Sequence, residues 1–283
     1  MISKVGIIYN PGIRDAVSLL PRVMAILKEL KADFWDSPAV EAEKAVDRIN
    51  GTGLMLSIGG DGTILRAAQA VAGSGIPICG INLGKLGFMT ELAVDEVAEF
   101  LPRIIAGEGW YDRRAMLEAS VTNYNGEGSG VASYYALNDV VVARGAVARI
   151  INIDTYIDDE FFVNYRADGI ILATATGSTG YALANGGPVL NPKMKNILLA
   201  SILPHLHSSY NLVLPETSTV ELAVSCLYPA ALSIDGNINL PLADGARVRV
   251  RLSEAVTNFL RIHKKGSYYA ALEQKLKGKR SGG

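Results

Sequence analysis

Two cysteines, Cys79 and Cys226, are all that the 283-residue chain contains, each inside an apolar stretch (Ile76-Pro77-Ile78-Cys79-Gly80 and Val224-Ser225-Cys226-Leu227). Two isolated thiols build neither a disulfide framework nor a cysteine metal cluster. An excess of positive charge is missing too: 27 Lys+Arg against 28 Asp+Glu leave a formal charge of −1. Without a broad positive field there is little to hold nucleic acid or an anionic lipid surface. No apolar run approaches the roughly 18 residues of a membrane span; Ile197 to Leu203 is among the longest. Met1-Ile2-Ser3-Lys4 leads directly into a strand-like segment and lacks the pattern of a secretory leader. These absences predict a soluble, cytoplasmic protein that binds neither nucleic acid nor membrane. Disorder is excluded by 49% apolar and only 19% charged residues, and the length predicts about two domains.

What is abundant is glycine, 29 of 283 residues, about 10% against a usual value near 7%. The glycines punctuate an ordered rhythm. Val5 to Tyr9 reads as a strand ending at Asn10-Pro11-Gly12, and Ala16 to Leu30 repeats apolar residues at helical spacing. A polar helix over Val40–Ile49, a strand over Leu54–Ile58, a helix over Ile64–Val71, a strand at Ile76–Ile81 and a helix over Val94–Ile105 follow. Strands separated by such helices predict a parallel, Rossmann-like sheet covered on both faces, an α/β domain over residues 1–110. After Trp110 strands dominate: Leu117–Thr122, Tyr134–Leu137, Asp139–Ala143, Ile150–Ile157, Phe161–Tyr165, Gly169–Ala173, Thr219–Val224, Ala231–Ile234 and Arg247–Leu252. Asn125-Gly126-Glu127-Gly128-Ser129-Gly130 and Asp158-Asp159 supply turn chemistry between them. Residues 111–260 are therefore expected to form a β-rich, sandwich-like domain. Residues 261–283, with Tyr269, Leu272 and Leu276 at helical spacing, are expected to pack back on the first domain.

Three segments carry chemistry. Gly59-Gly60-Asp61-Gly62-Thr63 stands between an apolar strand and a helix. Glycines there let backbone approach an anion, and the helix start offers N–H groups and a positive dipole end. The loop lacks the Lys-Ser/Thr ending of a Walker motif. A carboxylate beside phosphates repels them unless it meets a cation or takes a proton from an attacking group, which singles out Asp61. A tight turn with Asp61 as helix cap is the alternative. The second segment runs from Arg166-Ala167-Asp168-Gly169 through Thr174-Ala175-Thr176-Gly177-Ser178-Thr179-Gly180-Tyr181 to Ala184-Asn185-Gly186-Gly187-Pro188. Its small residues leave room for a flat ligand and its hydroxyls suit a base edge or ribose, although a polar crossover has the same composition. The third, Leu137-Asn138-Asp139-Val140, pairs an amide with a carboxylate at a strand start; a turn is its plainer reading.

Taken together, in this order and approximate spacing, these segments resemble the NAD kinases, enzymes that phosphorylate NAD to NADP, and the similarity runs from Val5 to Phe259-Leu260-Arg261. The Gly-Gly-Asp-Gly-Thr loop is shared with lipid kinases of the same superfamily; the Thr-Gly-Ser-Thr-Gly-Tyr segment is much more specific. The resemblance implies an α/β and a β-rich domain, with ATP as phosphoryl donor, a divalent cation such as Mg²⁺ but no fixed protein metal site, and a homodimer or homotetramer. It implies Asp61 as catalytic carboxylate with Gly60, Gly62 and Thr63 near the ATP phosphates. It places Asp61, Gly62, Phe88, Met89, Asn138, Asp139, Arg166, Asp168, Thr176, Thr179, Gly180, Tyr181 and Ala184 at NAD, with Asp168 reaching across a subunit interface. Four departures stand out: Ala167 for glycine, Ala175 for proline, Gly180 for alanine, and Tyr210-Asn211 for Arg-Pro.

Other residues suggest less. His205 and His207, two apart after a proline, read as a loop pair rather than as ligands of one metal. Arg66, Lys85, Arg144 and Arg166 lie near glycine motifs and suit phosphates or solvent equally. His263-Lys264-Lys265 and Lys275 to Arg280 read as solvated charge. Asp235, in Ser233-Ile234-Asp235-Gly236, is a weaker fourth acid for the nucleotide. A lipid or other small-molecule kinase and a non-catalytic dinucleotide sensor compete with the NAD kinase reading.

Overall fold

The structure, a computed structural model, describes all residues except 85–86, 125–129, 147–148, 206–209, 265, 267, 270–271 and 274–283, and at 46 the backbone only. Lys85, Leu86, the Asn125–Ser129 turn, His207, Lys265, Leu276 and the Lys275–Arg280 run lie outside the described residues. The chain divides into two compact units, Met1–Arg113 with Thr257–Gly283, and Arg114–Val256. Residues 111–113 and 257–260, assigned from sequence to the second domain, group with the first.

In unit 1, β1 (Lys4–Tyr9), β2 (Asp33–Pro38), β3 (Leu54–Ile58) and β4 (Ile78–Ile81) form a parallel sheet in the order β2-β1-β3-β4. Phe259, near the end of a later strand, pairs in parallel with Ile78. Helices α1 (Arg14–Glu29) and α3 (Val97–Ile105) cover one face, burying Leu19, Val23, Leu27, Leu101 and Ile104 against Val5, Ile7, Leu56, Cys79 and Ile81. Burial pushes the Cys79 thiol up to about 12, so it stays protonated and inert. Helix α2 (Asp61–Ala70) packs on β1, β3, β4 and a 3₁₀ run over Ala39–Arg48. That run replaces the helix expected at Val40–Ile49.

Unit 2 is a sandwich. One sheet is antiparallel, in the order β12 (Asn211–Leu214), β11 (Ile197–Ile202), β10 (Gly169–Ala173), β7 (Asp139–Arg144), β14 (Ala230–Ile234), β15 (Ile238–Leu242). The other comprises β8 (Ile151–Ile157), β9 (Glu160–Ala167), β13 (Thr219–Ser225) and β6 (Ala132–Ala136). It also takes the unit 2 residues of β5 (Trp110–Thr122) and of β16 (Arg247–Arg261). Asp158 and Asp159 turn the β8–β9 hairpin with φ of 53° and 66°, the positive pair that a two-residue type I′ connection demands. Strand alternation sorts each side chain to a face. Val140 and Val142 enter the sandwich core with Ile153, Leu172, Leu222 and Val250. Asp139, Val141 and Ala143 take the opposite face, where Val141 packs with Ala173 at the end of β10 and with Ala175, Ala182 and Leu190 of the segment that follows. This outer face of β7 carries the candidate residues of unit 2.

Candidate functional site

The candidate residues of unit 1 begin where β3 ends. Gly60 caps α2 with no side-chain bond, and the N–H groups of Thr63 and Ile64 turn back onto the Gly60 carbonyl at 2.9 and 3.3 Å. A β-carbon on Gly59 would overlap the Thr63 hydroxyl, whereas one on Gly60 or Gly62 would meet nothing within 4 Å. Thr63, 3% exposed, thus buttresses the turn from below, and the first turn of α2 is left open above. Such a first turn presents N–H groups without helical partners.

Asp61, in that first turn, is partly exposed. Its Oδ2 accepts the backbone N–H of Phe88 at 2.9 Å and its Oδ1 that of Met89 at 3.1 Å. A side chain at Gly87 would overlap the same carboxylate, so glycine is what admits the approach. The loop is itself anchored. Buried Arg261 donates to the carbonyls of Met89 (3.0 Å) and Thr90 (2.9 Å) and reaches Glu91 (3.2 Å) and Asp112 (3.4 Å). Glu91 Oε1 in turn accepts the backbone N–H groups of Ile262 and His263. One guanidinium therefore satisfies two carbonyls and two carboxylates, the condition under which burying its charge is tolerable. The sequence drew no attention to Arg261 as an anchor, since its partners lie about 150 to 172 residues away along the chain.

In unit 2, Asn138 and Asp139 open β7 and face a cavity of about 450 Å³ lined also by Val141, Ala143, Tyr181, Ser233 and Asp235. Gly180 sits beside them: its β-carbon position is 3.7 Å from Asn138 Nδ2 and 3.8 Å from Asp139 Oδ2. Gly177 approaches the Asn138 carbonyl so closely that any side chain would overlap it. Thr176 is buried, with Arg114 donating to its hydroxyl at 3.4 Å, and Thr179 donates its own hydroxyl to the Thr176 carbonyl at 3.2 Å. Tyr181 starts a single helical turn, α4 (Tyr181–Ala184), and Ala184 ends it exposed. Burial, and then the charge of Asp235, push Asp139 up to about 7.

Asp235 turns away from the role expected of it. Its carboxylate points into backbone, accepting the N–H groups of Leu137 (2.8 Å), Asn138 (2.7 Å) and Asp139 (3.0 Å). Arg166 and Asp168 are likewise not gathered at the cavity. They precede β10 whereas Thr174–Tyr181 follow it, a separation of about 20 Å at roughly 3.3 Å per residue. Asp168 there pairs with Arg144 at 3.0 Å, and Arg144 and Arg166 line another cavity with Arg149 and Tyr228. Asn211, one of the four departures, donates its amide to the Gly186 carbonyl at 3.0 Å. His205 is exposed. Among the described residues no three His, Cys, Asp or Glu side chains cluster as metal ligands, and no helix is long and apolar enough to cross a membrane.

A parallel α/β unit with a carboxylate in a glycine-rich helix-start loop, and a β-sandwich unit with an amide–carboxylate pair over a cavity, define a two-domain, nucleotide-directed phosphotransferase class. The chain belongs to the ATP-NAD kinase family: the family's N-terminal domain model matches residues 5–109 and its C-terminal domain model residues 137–262. The chain is 44% identical over 278 residues to the NAD kinase of Dehalococcoides mccartyi strain CBDB1, covering 98% of this chain and 97% of that one. It is 36% identical over 286 residues to the NAD kinase of Chloroflexus aurantiacus strain J-10-fl, with 98% and 99% covered. Its fold matches the crystal structure of yeast NADH kinase complexed with NADH at a TM-score of 0.85 (24% identity, 100% of this chain and 89% of that one). It matches an Archaeoglobus fulgidus NAD kinase in complex with ATP at 0.75 (25% identity, 97% and 98%).

Proposed function

We propose that the chain transfers the γ-phosphoryl group of ATP to the 2′-hydroxyl of the adenosine ribose of NAD, giving NADP. The observation that carries this reading is Asp61: a partly exposed carboxylate, steered by two backbone N–H groups, in the open first turn of a helix. Each of its oxygens accepts one N–H bond and keeps a further lone pair for a hydroxyl. Asp61 orients the ribose hydroxyl and accepts its proton late, help worth about 10²–10⁴-fold. Phosphoryl transfer otherwise depends on positioning and on spreading charge over three oxygens. Gly60 and Gly62 leave room for the ATP phosphates at the α2 N-terminus while Thr63 supports the turn. Phe88, Met89, Asn138, Asp139, Thr176, Thr179, Gly180, Tyr181 and Ala184 hold the dinucleotide.

ATP enters as its complex with a divalent cation, magnesium being the hard, phosphate-preferring choice, which offsets the clustered charge of the phosphates. Arg166 and Asp168, removed from the cavity along β10, serve NAD bound to a second copy of the chain, in a homodimer or homotetramer located in the cytoplasm. Incubating the protein with NAD, ATP and Mg²⁺ and measuring NADP by a NADP-specific cycling assay tests the reading. NADP that forms only with all three is expected. Dinucleotide binding without NADP would make the chain a sensor, and transfer to a diacylglycerol instead would make it a lipid kinase.

A further inference from the structure

The backbone leading into β7 is fully engaged. Leu137, Asn138 and Asp139 offer three N–H groups, and all three converge on the Asp235 carboxylate. Their three carbonyls are met as well: Leu137 by the Thr174 hydroxyl at 2.6 Å, Asn138 by the Thr174 N–H at 2.8 Å, and Asp139 by the Asp235 N–H at 2.9 Å. Successive N–H groups that converge in this way form an anion-binding concavity, filled here by a side chain of the same chain. Asp235 is 7% exposed and holds φ of 51° in the turn between β14 and β15, with Gly236 at 68°. A buried carboxylate in a left-handed turn costs stability in any neutral alternative's favour. The three N–H bonds offset that cost only while the 137–139 backbone stays in place.

We infer that Asp235 is a positioning residue for the dinucleotide: by clamping three successive backbone N–H groups it fixes the directions in which Asn138 and Asp139 present their side chains to the cavity. The inference rests on the NAD kinase reading of that cavity. Asparagine at 235 has the right shape but one acceptor oxygen, so its NH₂ must face at least one of the three N–H groups. Ordering of the Asn138–Asp139 pair is then lost, and with it binding of NAD, while the Asp61 loop and α2 are untouched. The clamp also acts electrostatically, since the Asp235 charge adds to burial in keeping Asp139 up to about 7. The other titratable group lining the cavity is Tyr181 from α4, and Arg114 from β5 bonds to the neighbouring Thr176.

The test is steady-state kinetics of the full chain, wild type against Asp235→Asn, with NAD and MgATP varied separately and NAD affinity measured by calorimetry without ATP. The KM for NAD is expected to rise at least about tenfold, with KM for ATP and kcat at saturating NAD within about twofold. The pH midpoint of NAD binding is expected to move down, because Asp139 loses a neighbouring charge. A general loss of rigidity would move both KM values and would not shift that midpoint. If Asp235→Asn does not fold, Thr174→Val and Thr174→Ser decide: valine, which can neither donate to the Leu137 carbonyl nor accept the Gly177 N–H, should raise the KM for NAD, and serine, which can do both, should restore it. An unchanged KM for NAD in folded Asp235→Asn, or in Thr174→Val, overturns the clamp. Wild-type protein that binds NAD but forms no NADP overturns the kinase reading alone, and the calorimetric arm still reads the clamp. Wild-type protein that does not bind NAD overturns both.

Discussion

Each unit contains an aspartate whose carboxylate accepts successive backbone N–H groups, and the two do opposite things. Asp61 of unit 1 takes two such bonds, one per oxygen, and remains partly exposed. Asp235 of unit 2 takes three and is buried at 7% exposure. In the first case the loop steers a side chain whose spare lone pairs stay available; in the second the side chain steers the loop. The difference teaches that N–H donation alone does not define a reactive carboxylate. What separates the two is whether room is left at the oxygen for a further partner, which Gly60 and Gly62 provide at one site and three tight bonds remove at the other.

The largest expected effect falls on Asp61. Replacing it with asparagine should lower turnover by about 10²–10⁴-fold and leave NAD affinity within about threefold, read by single-turnover NADP formation and calorimetry. Turnover near that of the wild type would erase the contrast between the two aspartates. Next is the anchor of the Asp61 loop. Arg261→Ala removes the cation that meets the carboxylates of Glu91 and Asp112 in a buried setting, and loss of one partner of a buried pair costs about 3–5 kcal/mol, measurable by urea denaturation. A loss under 1 kcal/mol would show that the loop is held otherwise.

Two glycines give a matched pair of intermediate effects. Gly87→Ala drives a methyl into the Asp61 carboxylate and Gly177→Ala drives one into the Asn138 carbonyl. A displacement near 1 Å at a reacting group costs up to about 10²-fold. Gly87→Ala should accordingly spend that loss in kcat, and Gly177→Ala in the KM for NAD. The same kinetic signature in both would merge the roles assigned to the two regions.

The smallest effect is a gain. Asp139 has its carboxyl raised from 3.8 to about 7 in the folded chain. A raised folded-state value means that the stability present below pH 4 is lost as pH rises through 7. Asp139→Asn, which carries no charge to bury, should therefore be more stable than the wild type at pH 8, with the advantage gone at pH 4. Denaturant melts at both pH values check the sign. Equal stability at pH 8 would show that the Asp139 charge is not held at a cost, and would weaken the link between Asp139 and the buried Asp235.

Much of the fold is legible in local pattern. The Val5–Tyr9, Leu54–Ile58 and Gly169–Ala173 strands are near-continuous apolar runs because both of their faces are covered. Ile197–Ile202 escapes the same reading although it lies between β10 and β12, and other strands that escape it sit at edges. Asp33–Pro38, next to β1 alone, buries only Trp35 and Ser37, and Ile238–Leu242 carries Pro241 at the rim of its sheet. Amphipathic spacing over Val40–Ile49 predicts an α-helix and the chain folds as a 3₁₀ run, since spacing reports which face is buried and only weakly which helix type forms. At the site, the Gly-Gly-Asp-Gly-Thr loop was legible because strand, turn and helix are contiguous. The parts played by Arg261, Gly87 and Asp235 were not, because each depends on groups distant in sequence.

The four Asp-Gly dipeptides, at 61–62, 168–169, 235–236 and 244–245, draw that line. By itself the sequence determined that the spacing of apolar residues would yield an α/β and a β unit, and Asp-Gly is turn chemistry wherever it falls. Only the tertiary structure decided their roles. Asp61 meets N–H groups 27 and 28 residues away, Asp168 meets Arg144, Asp235 meets N–H groups 96 to 98 residues away, and Asp244 accepts the Cys226 N–H. A carboxylate's chemistry is set by the donors, burial and open space around it, and those arrive by packing from elsewhere in the chain.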